Sequence, residues 1–354
     1  MTLSRFWVGF IAVVAISAVL SALLIRDYKD FSVSSAGLKA SIINISPGEN
    51  ITGVLKRLKL DTGLTKIYWR FLLRLSPELS KIRAGEFEVD QELTPRQFLF
   101  RLSKGSFVQH RFTIIEGWTF KQLREEMSHI DELRLNGLSN VQIKEALGIE
   151  GPIEGQFPAD TYFYQKGLSG KGLGGKGLGD KGQGGLLFLK RANNRLKDIM
   201  AKLWPGRALG LPYETQRSAL ILASIVEKET QLPSERVKVS GVFNLRLHKK
   251  MRLQADPTVI YGMGENYDGN IRRKDLRTDT PYNTYTRKGL PPGPICLVGE
   301  AALNAAMQPS ADKSLYFVAD GTGGHLFSDT LPEHQKKVQA YVKALRVKNK
   351  RNKK

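Results

Sequence analysis

The segment Ala219–Thr230, ALILASIVEKET, carries two glutamates, Glu227 and Glu229, to the end of an apolar helix. Six of the seven residues from Leu220 to Val226 are apolar, so this helix is expected to be largely buried. A carboxylate at the rim of a buried helix is costly unless it is paired or used. At 3.6 residues per turn Glu229 falls within roughly 60° of Leu222, Ile225 and Val226, whereas Glu227 projects about 200° away from it. One glutamate can therefore face a cleft while the other looks elsewhere. Apolar surroundings raise a carboxyl pKa, which lets the group hold a proton near neutral pH, as a general acid must. Taken alone, the segment also fits two solvated glutamates at a helix end, with Lys228 balancing their charge.

Three later segments are rich in polar and turn residues rather than in core pattern. Arg252–Gly262 offers Gln254, Asp256 and Thr258; Tyr282–Tyr285 (YNTY) offers Asn283 and Tyr285 and precedes Gly289–Ile295 (GLPPGPI). The third is Tyr316–Phe327, YFVADGTGGHLF. Amides and hydroxyls bond sugar hydroxyls, and tyrosine rings stack on the apolar faces of a pyranose. Each segment by itself is equally readable as tight turns or a hairpin. Together, downstream of the glutamate helix, they point to a polysaccharide cleft.

These elements must be carried by more than one domain, because the chain has 354 residues, 41% of them hydrophobic. Its net charge of +20, from 54 basic and 34 acidic residues, implies an anionic neighbour such as a lipid surface or an acidic polymer. No nucleic-acid motif and no zinc spacing is present, so nucleic acid is not the expected partner. The single cysteine, Cys296, rules out an internal disulfide, and the five histidines form no HExxH pair. No metal and no cofactor are expected.

Phe6 to Ile25 is an uncharged run of twenty residues between Arg5 and Arg26, long enough to span a bilayer as a helix. It exceeds a usual signal-peptide core, so an uncleaved single-pass anchor is expected. Residues 1–5 would form a cytoplasmic stub and 26–36 a linker, leaving the body on the extracytoplasmic side. The expected body is α+β. A small subdomain over 37–110 would contain a strand at 41–46, helices at 51–59 and 65–75, a strand at 85–89 and a helix ending near Lys104. A larger mixed α+β domain over 111–345 would follow, with a strand at 111–115 and helices from Phe120, over 186–203, over the glutamate segment and over 234–249. Between Lys166 and Gly185 a five-residue period repeats KGLSG, KGLGG, KGLGD and KGQGG; half of these residues are glycine, which predicts a flexible insertion without a core of its own. Residues 346–354 form a basic tail.

ASIVEKET, ERVKVSGVFNLRL, RLQADPTVIYGMG, YNTY, GLPPGPI and YFVADGTGGH, in this order, resemble the endolytic murein transglycosylases, the membrane-anchored YceG-like proteins. EGQFPADTY, Glu154–Tyr162, also matches a family segment, although its proline is displaced by one from the usual aromatic-Pro-Asp order, and the glycine repeat is unlike the family pattern. The resemblance implies a LysM-like subdomain over about 43–102 and a YceG-like catalytic domain. It implies cleavage of the β-1,4 bond between N-acetylmuramic acid and N-acetylglucosamine within peptidoglycan strands, leaving 1,6-anhydromuramoyl ends. It places the catalytic glutamate at Glu229, with Glu227 in reserve, and Gln254, Asp256, Asn283, Glu227 and Tyr285 as residues that hold the sugar or orient the acid. Penicillin-binding proteins of the elongation machinery are the implied partners, at the inner membrane. Two other readings remain open: a hydrolase using Asp256 as second carboxylate, and a non-catalytic anchored peptidoglycan-binding or scaffold protein.

Overall fold

The computed structural model describes residues 2–166 and 182–351, with side chains placed over 7–166 and 182–346. Most of the glycine repeat, residues 167–181, lies outside the described residues. The chain forms two compact units: one contains the chain up to His110 and again from Phe163, the other Arg111–Tyr162 and the remainder of the chain.

The first unit begins with α1 (Thr2–Val33), whose stretch Trp7–Val33 is long enough to cross a membrane and contains an apolar window of membrane-spanning hydropathy. It is the one such helix among the described residues. The helix runs through the first part of the expected linker as far as Val33, because Tyr28 and Phe31 pack on the rings of Tyr68, Trp69 and Phe71. β1 (Ile42–Ile45) follows and turns Ile43 and Ile45 inward, as the two-residue period of a strand requires. It pairs antiparallel with β2 (Gly85–Glu88), placing Ile43 opposite Phe87. Between them lie α2 (Ile51–Arg57), capped by the Asn50 side chain, and α3 (Thr65–Leu75). α4 (Pro95–Lys104) opens with a reciprocal Thr94–Gln97 capping box and Pro95 in its first turn. Val54, Trp69, Phe87, Phe98, Leu99 and Leu102 form the core.

β3 (His110–Thr113) and β4 (Thr161–Tyr164) pair as a two-stranded sheet, and the elements after β3 other than β4 belong to the second unit. Between β3 and β4 run α5 (Phe120–Ser128), with a Thr119–Gln122 capping box, and α6 (Asn140–Leu147). α7 (Gln183–Leu203) starts inside the stretch expected to be flexible. Gln183, Gly184 and Gly185 form its first turn, and Gly184 and Gly185 press against the carbonyls of Glu132 and Leu133, where a Cβ would collide.

α8 (Gln216–Glu229) is the axis of this unit and is buried from Ala219 to Glu227. α9 (Pro233–His248), α10 (Asp256–Met263), α11 (Arg273–Arg277) and α12 (Glu300–Met307) follow, and α9 and α12 pack against α8. Ser224, the one polar residue between Ala219 and Val226, donates to Ile221 O and accepts from Ile295 N at 3.0 Å, which seats the GLPPGPI loop on the helix. The YFVADGTGGHLF segment is a hairpin, with β5 (Tyr316–Ala319) antiparallel to β6 (His325–Ser328). α13 (Leu331–Arg351) extends into the basic tail.

Candidate active site

α8 stops at Glu229 for local reasons. Thr230 is extended (φ −141°, ψ 134°), and two residues later Leu232 precedes Pro233, which disfavours helix at the position before it. Glu229 is thus the last helical residue, at the open end of a helix whose other sides are filled. Its Oε2 is buried with no hydrogen-bond partner among the described residues. The carboxyl pKa is pushed up to about 7, first by burial and then by the nearby Asp256 carboxylate, while the Arg246 guanidinium opposes the shift. Arg246 reaches in from α9 and is fixed by its bonds to Leu253 O and Leu315 O, each 2.7 Å, and by stacking on Tyr316.

Asp256 is the first residue of α10, and its exposed carboxylate accepts the Tyr285 hydroxyl at 2.5 Å. The YNTY segment holds this region at three points. Thr284 accepts the Ala255 N–H on Oγ1 (3.0 Å) and the Gln254 N–H on its carbonyl (3.2 Å), and its hydroxyl meets Thr258 Oγ1 at 2.8 Å. Gln254 takes a left-handed backbone, φ +51°, which is uncommon without a glycine, and its side chain is exposed. Asn283 is buried: its Nδ2 donates to the carbonyls of Asp275, Leu276 and Thr278, and its Oδ1 accepts from Tyr285 N at 2.8 Å. Asn283 therefore fixes the loop that carries Tyr285.

Glu227 lies in a different environment. It is 5% exposed; Oε1 accepts Arg236 Nη2 at 3.0 Å and Oε2 accepts the Gly299 N–H at 2.8 Å. Arg236 also binds Glu116 at 2.6 Å. Burial raises the Glu227 pKa, with Gly299 N–H and Arg236 opposing. Gly299 is the N-cap of α12, so the carboxylate ties α8 and α9 to a helix N-terminus that favours negative charge. Sequence and structure agree that the two glutamates diverge: Glu227 is spent on an internal ion pair, Glu229 on none among the described residues.

Glu154 was not singled out from the sequence, although its segment was. It is 7% exposed, accepts the Phe120 N–H at 2.9 Å and the Tyr261 hydroxyl at 3.3 Å, and burial pushes its pKa to about 7. It lines a cavity of about 900 Å³ together with Lys228, Pro257, Tyr261, Lys121 and Arg124. Lys228 and Pro257 are the chain neighbours of Glu229 and Asp256, so the cavity and the Glu229 site share the end of α8 and the start of α10. The sequence signals for Glu154 are its place at the head of EGQFPADTY and an acid set among turn residues, Pro152 to Gly155. Among the described residues no group of three or more His, Cys, Asp or Glu side chains is placed to hold a metal ion.

A model of the YceG-like family matches residues 43–340. The chain is 27% identical over 338 residues to an endolytic murein transglycosylase of Bacillus subtilis, covering 93% of this chain and 82% of that protein. It is 24% identical over 331 residues to an endolytic murein transglycosylase of Streptococcus pneumoniae, covering 85% of this chain and 58% of that longer protein. A crystal structure of a YceG-like protein from Listeria monocytogenes is 26% identical, with a TM-score of 0.48, over 83% of this chain and 97% of that one.

Proposed function

The chain belongs to the YceG-like family, and from its site we propose that it is an endolytic lytic transglycosylase of peptidoglycan with Glu229 as acid and base. The observation that carries this reading is the Glu229 carboxyl: terminal on its helix, without a partner at Oε2 among the described residues, and with its pKa pushed up to about 7. The relatives' shared name supplies the substrate.

Glu229 donates its proton to the oxygen leaving toward N-acetylglucosamine as the bond from muramoyl C1 to that oxygen breaks. The resulting Glu229 carboxylate then takes the proton of the muramoyl C6 hydroxyl. O6 bonds to C1, a 1,6-anhydro ring closes and Glu229 is protonated again. No water is consumed, and one carboxyl performs both transfers. Asp256, oriented by Tyr285, holds negative charge near the developing oxocarbenium and keeps the Glu229 pKa high. Gln254 offers its exposed amide to the sugar, while Asn283 and Glu227 act as positioning residues through the loop and helix they fix. The cavity beside Glu154 extends the cleft along the strand.

With α1 as an anchor and the short stub before it in the cytoplasm, we infer that the body lies on the outer face of the inner membrane. There the enzyme would end nascent strands beside the penicillin-binding proteins that extend them. Asp256 near Glu229 also suits a hydrolase, so product identity is the test. Peptidoglycan incubated with the full chain is examined by mass spectrometry, wild type beside Glu229→Gln. Anhydromuramoyl ends with wild type alone support the proposal. Reducing ends would make it a hydrolase, and no product from either protein would favour a binding role.

A further inference from the structure

α3 has two apolar faces. Tyr68, Trp69 and Leu72 are buried in the core of the first unit. Leu64, just before the helix, with Ile67, Phe71 and Leu75 makes a second stripe at intervals of three and four, exposed to 52, 57, 48 and 61%. Lys66, Arg70 and Arg74, four residues apart and exposed, run along one edge of that stripe. An exposed apolar stripe bordered by cations is the pattern of a helix lying in a membrane surface.

The neighbouring element indicates what covers it. The ring of Tyr28 in α1 packs edge-on against Phe71, centroids 5.0 Å apart, and 5.9 Å from Tyr68; Phe31 packs 5.3 Å from Trp69. Tyr28 is three residues beyond Ile25, where the uncharged run ends, so it stands about 4.5 Å farther along the helix axis. That is headgroup depth, where tyrosine rings collect. The exposed side of Phe71 is therefore next to the bilayer boundary.

We propose that α3 is an interfacial helix: Leu64, Ile67, Phe71 and Leu75 enter the boundary between headgroups and acyl chains beside α1, and Lys66, Arg70 and Arg74 bind the phosphates of anionic lipids. The first unit is then fixed against the membrane by two helices at an angle set by their packing. The inference rests on α1 spanning the bilayer and is independent of the carbohydrate chemistry.

The test uses the full chain with Cys296→Ser in nanodiscs containing phosphatidylglycerol. Spin labels are placed singly through Ile67→Cys, Phe71→Cys, Ile16→Cys within α1, and Glu214→Cys on an exposed loop of the second unit. The expected result is that labels at 67 and 71 collide several-fold more with oxygen than with a water-soluble nickel chelate, as at 16 and opposite to 214. Lys66→Glu, Arg70→Glu and Arg74→Glu together should lower that ratio at 67, as should discs of phosphatidylcholine alone. A ratio at 67 equal to that at 214, with 16 still in lipid, would overturn the proposal and leave the anchor intact. A label at 16 in water would overturn both. Dipolar coupling between labels at 67 on two chains would assign the stripe to a second copy instead.

Discussion

The Tyr285 hydroxyl donates to Asp256 Oδ1 at 2.5 Å, joining the YNTY loop to the carboxylate that acts on Glu229. The tyrosine reaches it because Asn283, two residues earlier, is buried and binds three backbone carbonyls. Tyr285→Phe removes one charge-assisted hydrogen bond, worth about 1.5–3 kcal/mol. We expect kcat to fall on the order of tenfold with the fold intact, read from initial rates of anhydromuramoyl release. An unchanged rate would show that Asp256 needs no such orientation.

The Asp256 charge raises the Glu229 pKa, so its removal must lower it. Asp256→Asn should move the alkaline limb of the kcat/KM profile, which reports the acid of the free enzyme, toward lower pH by about half a unit or more. A limb that stays in place would mean that another group governs it.

Glu229 also links stability to pH. Its pKa rises on folding from 4.5 to about 7, so between those values the folded state binds more protons than the unfolded one. Its neutral form is therefore stabilised by folding at low pH, and that contribution is lost as pH climbs through about 7. Glu229→Gln should match wild type near pH 4, below the unfolded pKa, and exceed it at pH 8 by about 1–3 kcal/mol, while losing activity. Equal stability at both pH values in denaturant titrations would contradict the raised pKa.

The Glu227–Arg236 pair predicts the opposite behaviour. Both side chains are under 10% exposed, and Arg236 Nε already lacks a partner among the described residues. Glu227→Ala leaves a buried guanidinium half-paired, with Glu116 alone, and should cost about 3–5 kcal/mol in thermal unfolding. Glu227→Gln, which keeps an acceptor for Gly299 N–H, should cost less and retain measurable turnover. Complete loss of turnover in a folded Glu227→Gln would move the acid role toward Glu227.

Local pattern was sufficient for several elements. Helix 65–75 and the strand near 85–88 followed from apolar spacing bounded by Gly and Pro, and α4 and α5 begin at capping residues, because such signals act within a few residues of chain. The divergence of Glu227 and Glu229 came from the helical period alone. Other features depended on distant neighbours. At the start of α7 the carbonyls of Glu132 and Leu133 leave room only for glycine, and the continuation of α1 to Val33 is packed by the rings of α3, neither of which is a local signal.

What the sequence by itself determined is thus the helices and strands with strong local signals, the apolar N-terminal span and the glutamate helix with its divergent carboxyls, all consequences of backbone periodicity; α10, by contrast, forms inside Arg252–Gly262, a stretch that reads as turns. Only tertiary structure decided which carboxyl is paired. Arg236, Gly299 and Glu116 converge on Glu227 from three separate stretches of chain, while Asp256 and Arg246 approach Glu229, whose Oε2 has no bond among the described residues. Burial and like charge set a carboxyl's proton affinity, and both depend on residues that are close in space and remote in sequence.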